Sequence, residues 1–283
     1  MIGFYLLGDM GTGLEDQYKV SSSLENNISQ NKNKDLFICG LGDNIYEEGC
    51  NCIDDNQFIK KFEEPYQNIN DKIKFYMSLG NHDYGYNLWD LKGNSIHQID
   101  YGIQSQKKGK KWYMPSRYYT FTKGDIDFFV IDTNFVNQTK NEIEDQIKYL
   151  VEKLNSSKKK WKILYGHHTL RSVGGHGNAE KEMEDFFHQL LEKSSFDIYM
   201  CGHDHNKQLI NTTINNKDIT LIVCGTGGKV YHKETKLKNV GEGELEFCSG
   251  NLGYAYCTPL KDTLKFQFYD DSNNLEYEYI KKK

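Results

Sequence analysis

At 283 residues the chain is long enough for one large domain with a sizeable core, residues 1–283, and no linker composition divides it. A formal charge of -5 and a pI near 6.0, with Lys spread among Asp and Glu, argue against nucleic acid as a partner. The longest apolar stretches, such as Ile2–Leu7, are too short to cross a bilayer, so no membrane partner is expected either.

The first strand starts at Ile2 and leaves no room for a secretory leader, so the chain is expected to be cytoplasmic or secreted with its leader removed. Seven Cys, an odd number, with Cys39, Cys201 and Cys224 inside or at the end of apolar runs, read as buried reduced thiols. A monomer is expected.

In chain order, the apolar run at Ile2–Leu7 is followed by Leu14, Tyr18, Leu24 and Ile28 at roughly helical spacing, giving strand, loop, helix. Residues 36–41 predict a second strand, 58–66 a helix ending near Pro65, and 73–79 a third strand. Such alternation points to a mostly parallel sheet. Residues 87–111, with the run QKKGKK, read as a solvated loop that could bear on substrate choice. Residues 113–121 and 126–132 read as antiparallel neighbours, 142–154 as an amphipathic helix, 161–165 as a strand, 180–191 as a helix and 196–200 as a strand. Beyond Asn206 the chain turns β-rich, with strands over 208–210, 219–223, 253–258, 264–269 and 275–280. Two sheets packed face to face, with helices outside, fit this order.

Five strand-like runs end in a Gly followed by a side chain suited to a metal: GDMG at Asp9, GDNIY at Asp43 and Tyr46, GNHDY at Asn81 and His82, GHH at His167, and GHDH at His203 and His205. Side chains at the carboxyl ends of strands meet in one crevice when the strands share a sheet. Two carboxylates, a phenol, an amide and imidazoles, without Cys, suit two adjacent iron, zinc or manganese ions better than a structural zinc. Two such ions clamp the attacking and leaving oxygens of an in-line displacement, which points to phosphoryl chemistry. GTGGK at Gly225 lacks the spacing of a P-loop.

Over nearly its full length the chain resembles the metallophosphoesterases, and among them the purple acid phosphatases of the small tartrate-resistant type. Most metallophosphoesterases begin with Asp-x-His, but here Asp9 is followed by Met10-Gly11, and Tyr46 stands three residues after Asp43 in the GDNxY pattern of purple acid phosphatases. The resemblance implies an α/β (α+β) fold of metallophosphoesterase type: a four-layer α-β-β-α sandwich of two packed mixed sheets flanked by helices. It also implies that Asp9, Tyr46 and His205 bind Fe(III), that Asn81, His167 and His203 bind a divalent Fe, Zn or Mn, and that Asp43 bridges the two.

The implied activity is that of an acid phosphatase, cleaving monoesters by in-line attack of metal-bound hydroxide with an acid optimum. His82 would contact the phosphate, and His176, nine residues after His167, would act on the leaving group. Asp83 and Asp204 would orient their neighbours. Met10 stands where the family commonly has Trp, and His168-Thr169 where it has Tyr-Pro; His168 reads as a strand cap. Lys229 and His232 read as exposed loop residues, with a place beside the cleft left open. A small phosphorylated substrate or a phosphoprotein is the implied partner, chosen by loops such as 87–111 and 225–249. Two alternatives remain: a phosphodiesterase or nucleotide pyrophosphatase on the same metals, and a decayed, phosphatase-like interaction protein.

Overall fold

The computed structural model describes residues 2–33, 35–85, 93–231 and 243–283. β1 (Ile2–Leu7) leads through the GDMG turn to α1 (Glu15–Gln30), and β2 (Asp35–Gly40) lies parallel to β1 with Phe4 opposite Phe37. The Asp55 side chain accepts the Gln57 N–H at 3.0 Å and opens α2 (Asn56–Phe58). A π-helical turn at Ile59–Glu63 follows directly, so the helix predicted over 58–66 is mostly π-wound. β3 (Phe75–Met77), the one-turn α3 (Asn81–Tyr84), α4 (Ser95–Lys107) and β4 (Trp112–Tyr113) come next.

α4 corrects the reading of residues 87–111 as a solvated loop. Its inward positions are Ser95, Gln98, Ile99, Gly102 and Ser105, so a mostly polar face is buried and the apolar periodicity that announces a helix is weak. Residues 86–92 of that segment lie outside the described residues. The single strand predicted over 113–121 is also corrected. It breaks around Pro115, leaving Tyr113 paired with β3 while β5 (Tyr119–Lys123) joins the other sheet beside β6 (Ile126–Val130).

The chain continues through α5 (Lys140–Ser156), β7 (Trp161–Tyr165), α6 (Lys181–Lys193), β8 (Ile198–Cys201), β9 (Lys207–Ile214) and β10 (Lys217–Cys224). It ends with β11 (Gly243–Ser249), β12 (Gly253–Pro259), β13 (Thr263–Asp270) and β14 (Leu275–Lys282). A capping box fixes the start of α5: Thr139 Oγ1 accepts the Glu142 N–H at 3.3 Å, and Glu142 Oε2 accepts the Thr139 N–H at 2.9 Å. β11 corrects the reading of 225–249 as loop throughout.

Two seven-stranded mixed sheets result, ordered β14-β13-β12-β1-β2-β3-β4 and β11-β9-β10-β8-β7-β6-β5. One apolar core lies between them, where Phe4 and Phe37 of the first sheet both meet Phe128 of the second edge-on, at 5.2 and 5.4 Å. Truncating a buried Phe of this kind to Ala costs about 3–5 kcal/mol. A second core joins α5 and α6 to the outer face of one sheet, and a third joins α1, the π-turn and α4 to the other. The layers are therefore α-β-β-α. All seven Cys are free thiols; Cys39, Cys201 and Cys224 are buried as expected, with Cys50 and Cys257, whereas Cys52 is exposed and Cys248 half-buried.

Candidate metal centre

β1, β2 and β3 are parallel neighbours in one sheet and β7 and β8 are parallel neighbours in the other, so the five turns that follow them emerge at one end of the sandwich. The Gly8 N–H donates to the Cys224 carbonyl at 3.0 Å and links the sheets there. Asp9, Asp43 and His203 all have positive φ, at 57°, 51° and 68°, a region that non-glycine residues enter rarely. Three unfavourable backbones at three converging polar side chains mark a place where the fold accepts strain of about 1–3 kcal/mol per residue to aim functional groups.

The side chains gather in two trios. In the first, the Tyr46 hydroxyl donates to Asp9 Oδ1 at 3.0 Å and lies 3.1 Å from His205 Nε2, which is itself 3.3 Å from Asp9 Oδ1. In the second, His167 Nε2 lies 3.1 Å from Asn81 Oδ1 and 3.2 Å from His203 Nδ1. Asp43 stands between: Oδ1 is 3.5 Å from His167 Nε2, and its negative charge also bears on the Tyr46 phenol. Asp9, Asp43 and His167 offer donor atoms all within 4.8 Å of one another.

The second trio has a proton deficit. His167 Nδ1 donates to the Leu41 carbonyl at 2.8 Å, a partner that can only accept, so Nε2 of the neutral ring carries a lone pair. That lone pair faces the oxygens of Asn81 and Asp43, an arrangement of acceptors that calls for positive charge at its centre. Burial opposes charge on His167, yet the Asp43 carboxylate outweighs it and holds the imidazole up at about 9. His203 is pushed the other way, well below the usual imidazole range, by burial and then by the imidazoles of His168 and His167, so it keeps a free lone pair. In the first trio burial, together with the charges of Asp9 and Asp43, raises the Tyr46 phenol well above 10. Donor types and placement therefore fit cations in both trios, each displacing one proton.

The surrounding shell explains how the turns hold. Asp83 accepts backbone N–H bonds from Gly80 at 2.8 Å, Asn44 at 2.9 Å and Ile45 at 3.0 Å, and a side-chain bond from Gln98 of α4 at 2.7 Å. It staples the GDNIY turn to GNHDY. Asp204 Oδ1 accepts the His176 N–H at 2.9 Å, and the His176 ring stacks on His203 at 3.9 Å. The His82 N–H donates to Asp43 Oδ1 at 3.0 Å, and its ring Nδ1 meets the Glu47 carbonyl at 2.6 Å. His168 Nδ1 bonds Thr133 Oγ1 at 2.7 Å beneath the His203 ring, so it braces the strand end while also lining a cleft.

Three contributors were not legible in the sequence, or were misplaced by it. Lys229 is not simply an exposed loop residue: its Nζ lies 4.4 Å from the centroid of the Tyr46 ring and 3.5 Å from Glu47. Tyr231 stacks on His205 at 4.5 Å, and Gln98 supports Asp83 from a helix that was not foreseen. His232 lies outside the described residues.

The family profile for calcineurin-like phosphoesterases matches residues 2–207. The chain belongs to the calcineurin-like phosphoesterase family. Members of this family are phosphoester hydrolases, and the chain is an enzyme of that class. It is 29% identical to purple acid phosphatase 4 of Arabidopsis thaliana over 96% of this chain and 81% of that protein. It is 26% identical to tartrate-resistant acid phosphatase type 5 of Homo sapiens over 78% and 71%. The fold is shared with GAP50, described as the anchor in the inner membrane complex of Plasmodium, at a TM-score of 0.80 and 22% identity, covering 100% of this chain and 90% of that one. It is also shared with the purple acid phosphatase PPD1 of yellow lupin, at 0.68 and 15%, covering 98% and 53%.

Proposed function

We propose that this phosphoesterase is a binuclear metal-dependent phosphatase that hydrolyses phosphate monoesters of small substrates by in-line displacement, with an acid optimum. The observation that carries the reading is the division of seven donors into two trios with Asp43 between them. Asp9, Tyr46 and His205 would hold Fe(III), Asn81, His167 and His203 a divalent Fe, Zn or Mn, and Asp43 both. When bound, the ions supply Lewis acidity that draws charge from the phosphoryl oxygens and acidifies the attacking water.

The chain's own residues do the rest. His82 Nδ1 is committed to the Glu47 carbonyl, which leaves Nε2, 4.0 Å from Asp43 Oδ2, as the ring atom to meet a phosphoryl oxygen. His176, held by Asp204 and stacked on His203, lies where it can give a proton to the leaving oxygen; burial pushes it below the usual imidazole range and makes its protonated form the stronger acid.

Metal analysis paired with a visible spectrum tests the proposal. Iron with a tyrosinate charge-transfer band that disappears in Tyr46→Phe is expected, with p-nitrophenyl phosphate cleaved faster than bis(p-nitrophenyl) phosphate. Faster cleavage of the diester would favour a phosphodiesterase. The anchor described for GAP50 raises a non-catalytic reading, and iron-loaded protein inert toward phosphate esters from about pH 4 to 8 would establish it.

A further inference from the structure

A cleft of about 500 Å³ opens beside the two trios, within the size range of small-molecule sites. His203 and His176 form the wall it shares with the site. Phe135, Met183 and the 83%-exposed Val136 give it an apolar side, and Glu180 and Glu182 at the start of α6 give it carboxylates. No ion pair engages either carboxylate among the described residues. The cations nearest in sequence are occupied, Arg171 by Glu184 and Lys181 by Asp185 at 2.5 Å. Asn134, only 1% exposed, also lines the cleft, and its Nδ2 donates to Asp132 Oδ1 at 2.9 Å.

A group that protonates the leaving oxygen must lie within hydrogen-bond reach of it. If His176 has that task, the carbon body of the released alcohol lies on the His176 side of the phosphorus, and this cleft is the space there. We infer that the cleft receives the alcohol portion of the ester and selects alcohols bearing an ammonium group close to the ester oxygen. This rests on the phosphatase reading above. The carboxylates of Glu180 and Glu182 attract the cation, and the apolar wall covers the methylenes. An alcohol carrying its own carboxylate or a second phosphate meets like charge and is disfavoured. Glu182, in the first turn of α6, also complements the helix dipole, a role that needs no ligand; substrate charge separates the two.

The test compares kcat/KM of the metal-loaded protein for aminoethyl, propyl and carboxymethyl phosphate at one fixed, mildly acidic pH. The expected order is cationic, neutral, anionic, spanning about tenfold at low salt and less at high salt. In Glu180→Gln/Glu182→Gln the cationic-to-anionic ratio falls toward unity, and in Glu182→Lys the order inverts; both positions are exposed, so the fold tolerates these changes. Equal scaling of all three esters in both variants, or a wild-type protein indifferent to charge, overturns the cleft assignment while leaving the phosphatase standing. Failure to hydrolyse any of the three, or p-nitrophenyl phosphate, removes the phosphatase reading and the cleft assignment with it.

Discussion

The two trios differ in what holds their protons and in what holds their rings. In the first, the proton sits on the Tyr46 phenol, kept there by burial and by Asp9 and Asp43, and the His205 ring is braced by stacking with Tyr231 while its buried Nδ1 has no hydrogen-bond partner. In the second, the proton sits on His167, whose ring is fixed by the Leu41 carbonyl. A phenol raised well above 10 yields its proton only to a strong Lewis acid, whereas an imidazole near 9 yields to an ordinary divalent ion. Under the proposed binuclear reading, one crevice would present a demanding site and a permissive one, and that difference would sort two different metals.

Removing the element common to both trios should have the largest effect. Asp43→Ala is expected to lower kcat by at least about a thousandfold and reduce the content of both metals, read by elemental analysis. Retention of one full equivalent of each metal would refute a shared carboxylate. Asn81→Ala acts on the permissive side alone. It should weaken divalent-metal affinity about 10–100-fold and lower activity accordingly, while the tyrosinate band stays. A band lost together with the divalent ion would mean that the two trios are not separable.

Metal-free protein gives a milder test through pH. The folded-state value for His167, about 9, lies above the ordinary 6.5, so its pairing with Asp43 stabilises fully below about pH 6.5 and is lost as pH rises through 9. The melting temperature of the stripped protein should fall by roughly 5 °C across that window. The loaded protein should not show the fall, because a bound ion replaces the proton. Equal slopes for the two forms would place the His167 charge elsewhere.

The contrast between the trios was only partly legible in the chain. Strand ends with Gly and a donor residue stand out because turn geometry and ligand chemistry are both local, and the partition around Asp43 followed from the family resemblance. The replacement of a first histidine by Gly11 has a structural reason that sequence does not display: a Cβ there would lie 1.8 Å from the Asn44 carbonyl, so only Gly lets the GDNIY turn approach closely enough for the Tyr46 N–H to bond the Gly11 carbonyl at 2.8 Å. α4 stayed hidden because it buries Gln98 and Ser95 rather than an apolar stripe. β11 stayed hidden because Glu244 and Glu246 are its exposed positions and its other residues are only half buried. Nor does local pattern reveal that β12 returns across more than 200 residues to pair with β1, Tyr256 opposite Tyr5, since register of that kind is set by packing between distant segments.

The smallest effect belongs to the cation above the demanding trio. Lys229 Nζ, 4.4 Å from the Tyr46 ring centroid, favours negative charge on the phenol, but Glu47 at 3.5 Å cancels part of that field and the ammonium is half-exposed. Lys229→Met should therefore weaken iron retention at acid pH by only about twofold, a shift visible in a titration of the tyrosinate band against pH. Glu47→Gln frees the ammonium from its counter-charge and should move the same titration in the opposite direction. If both substitutions shift it the same way, the pair acts by packing the loop around Tyr46 rather than by charge, and the difference between the trios lies in the phenol and its carboxylates alone.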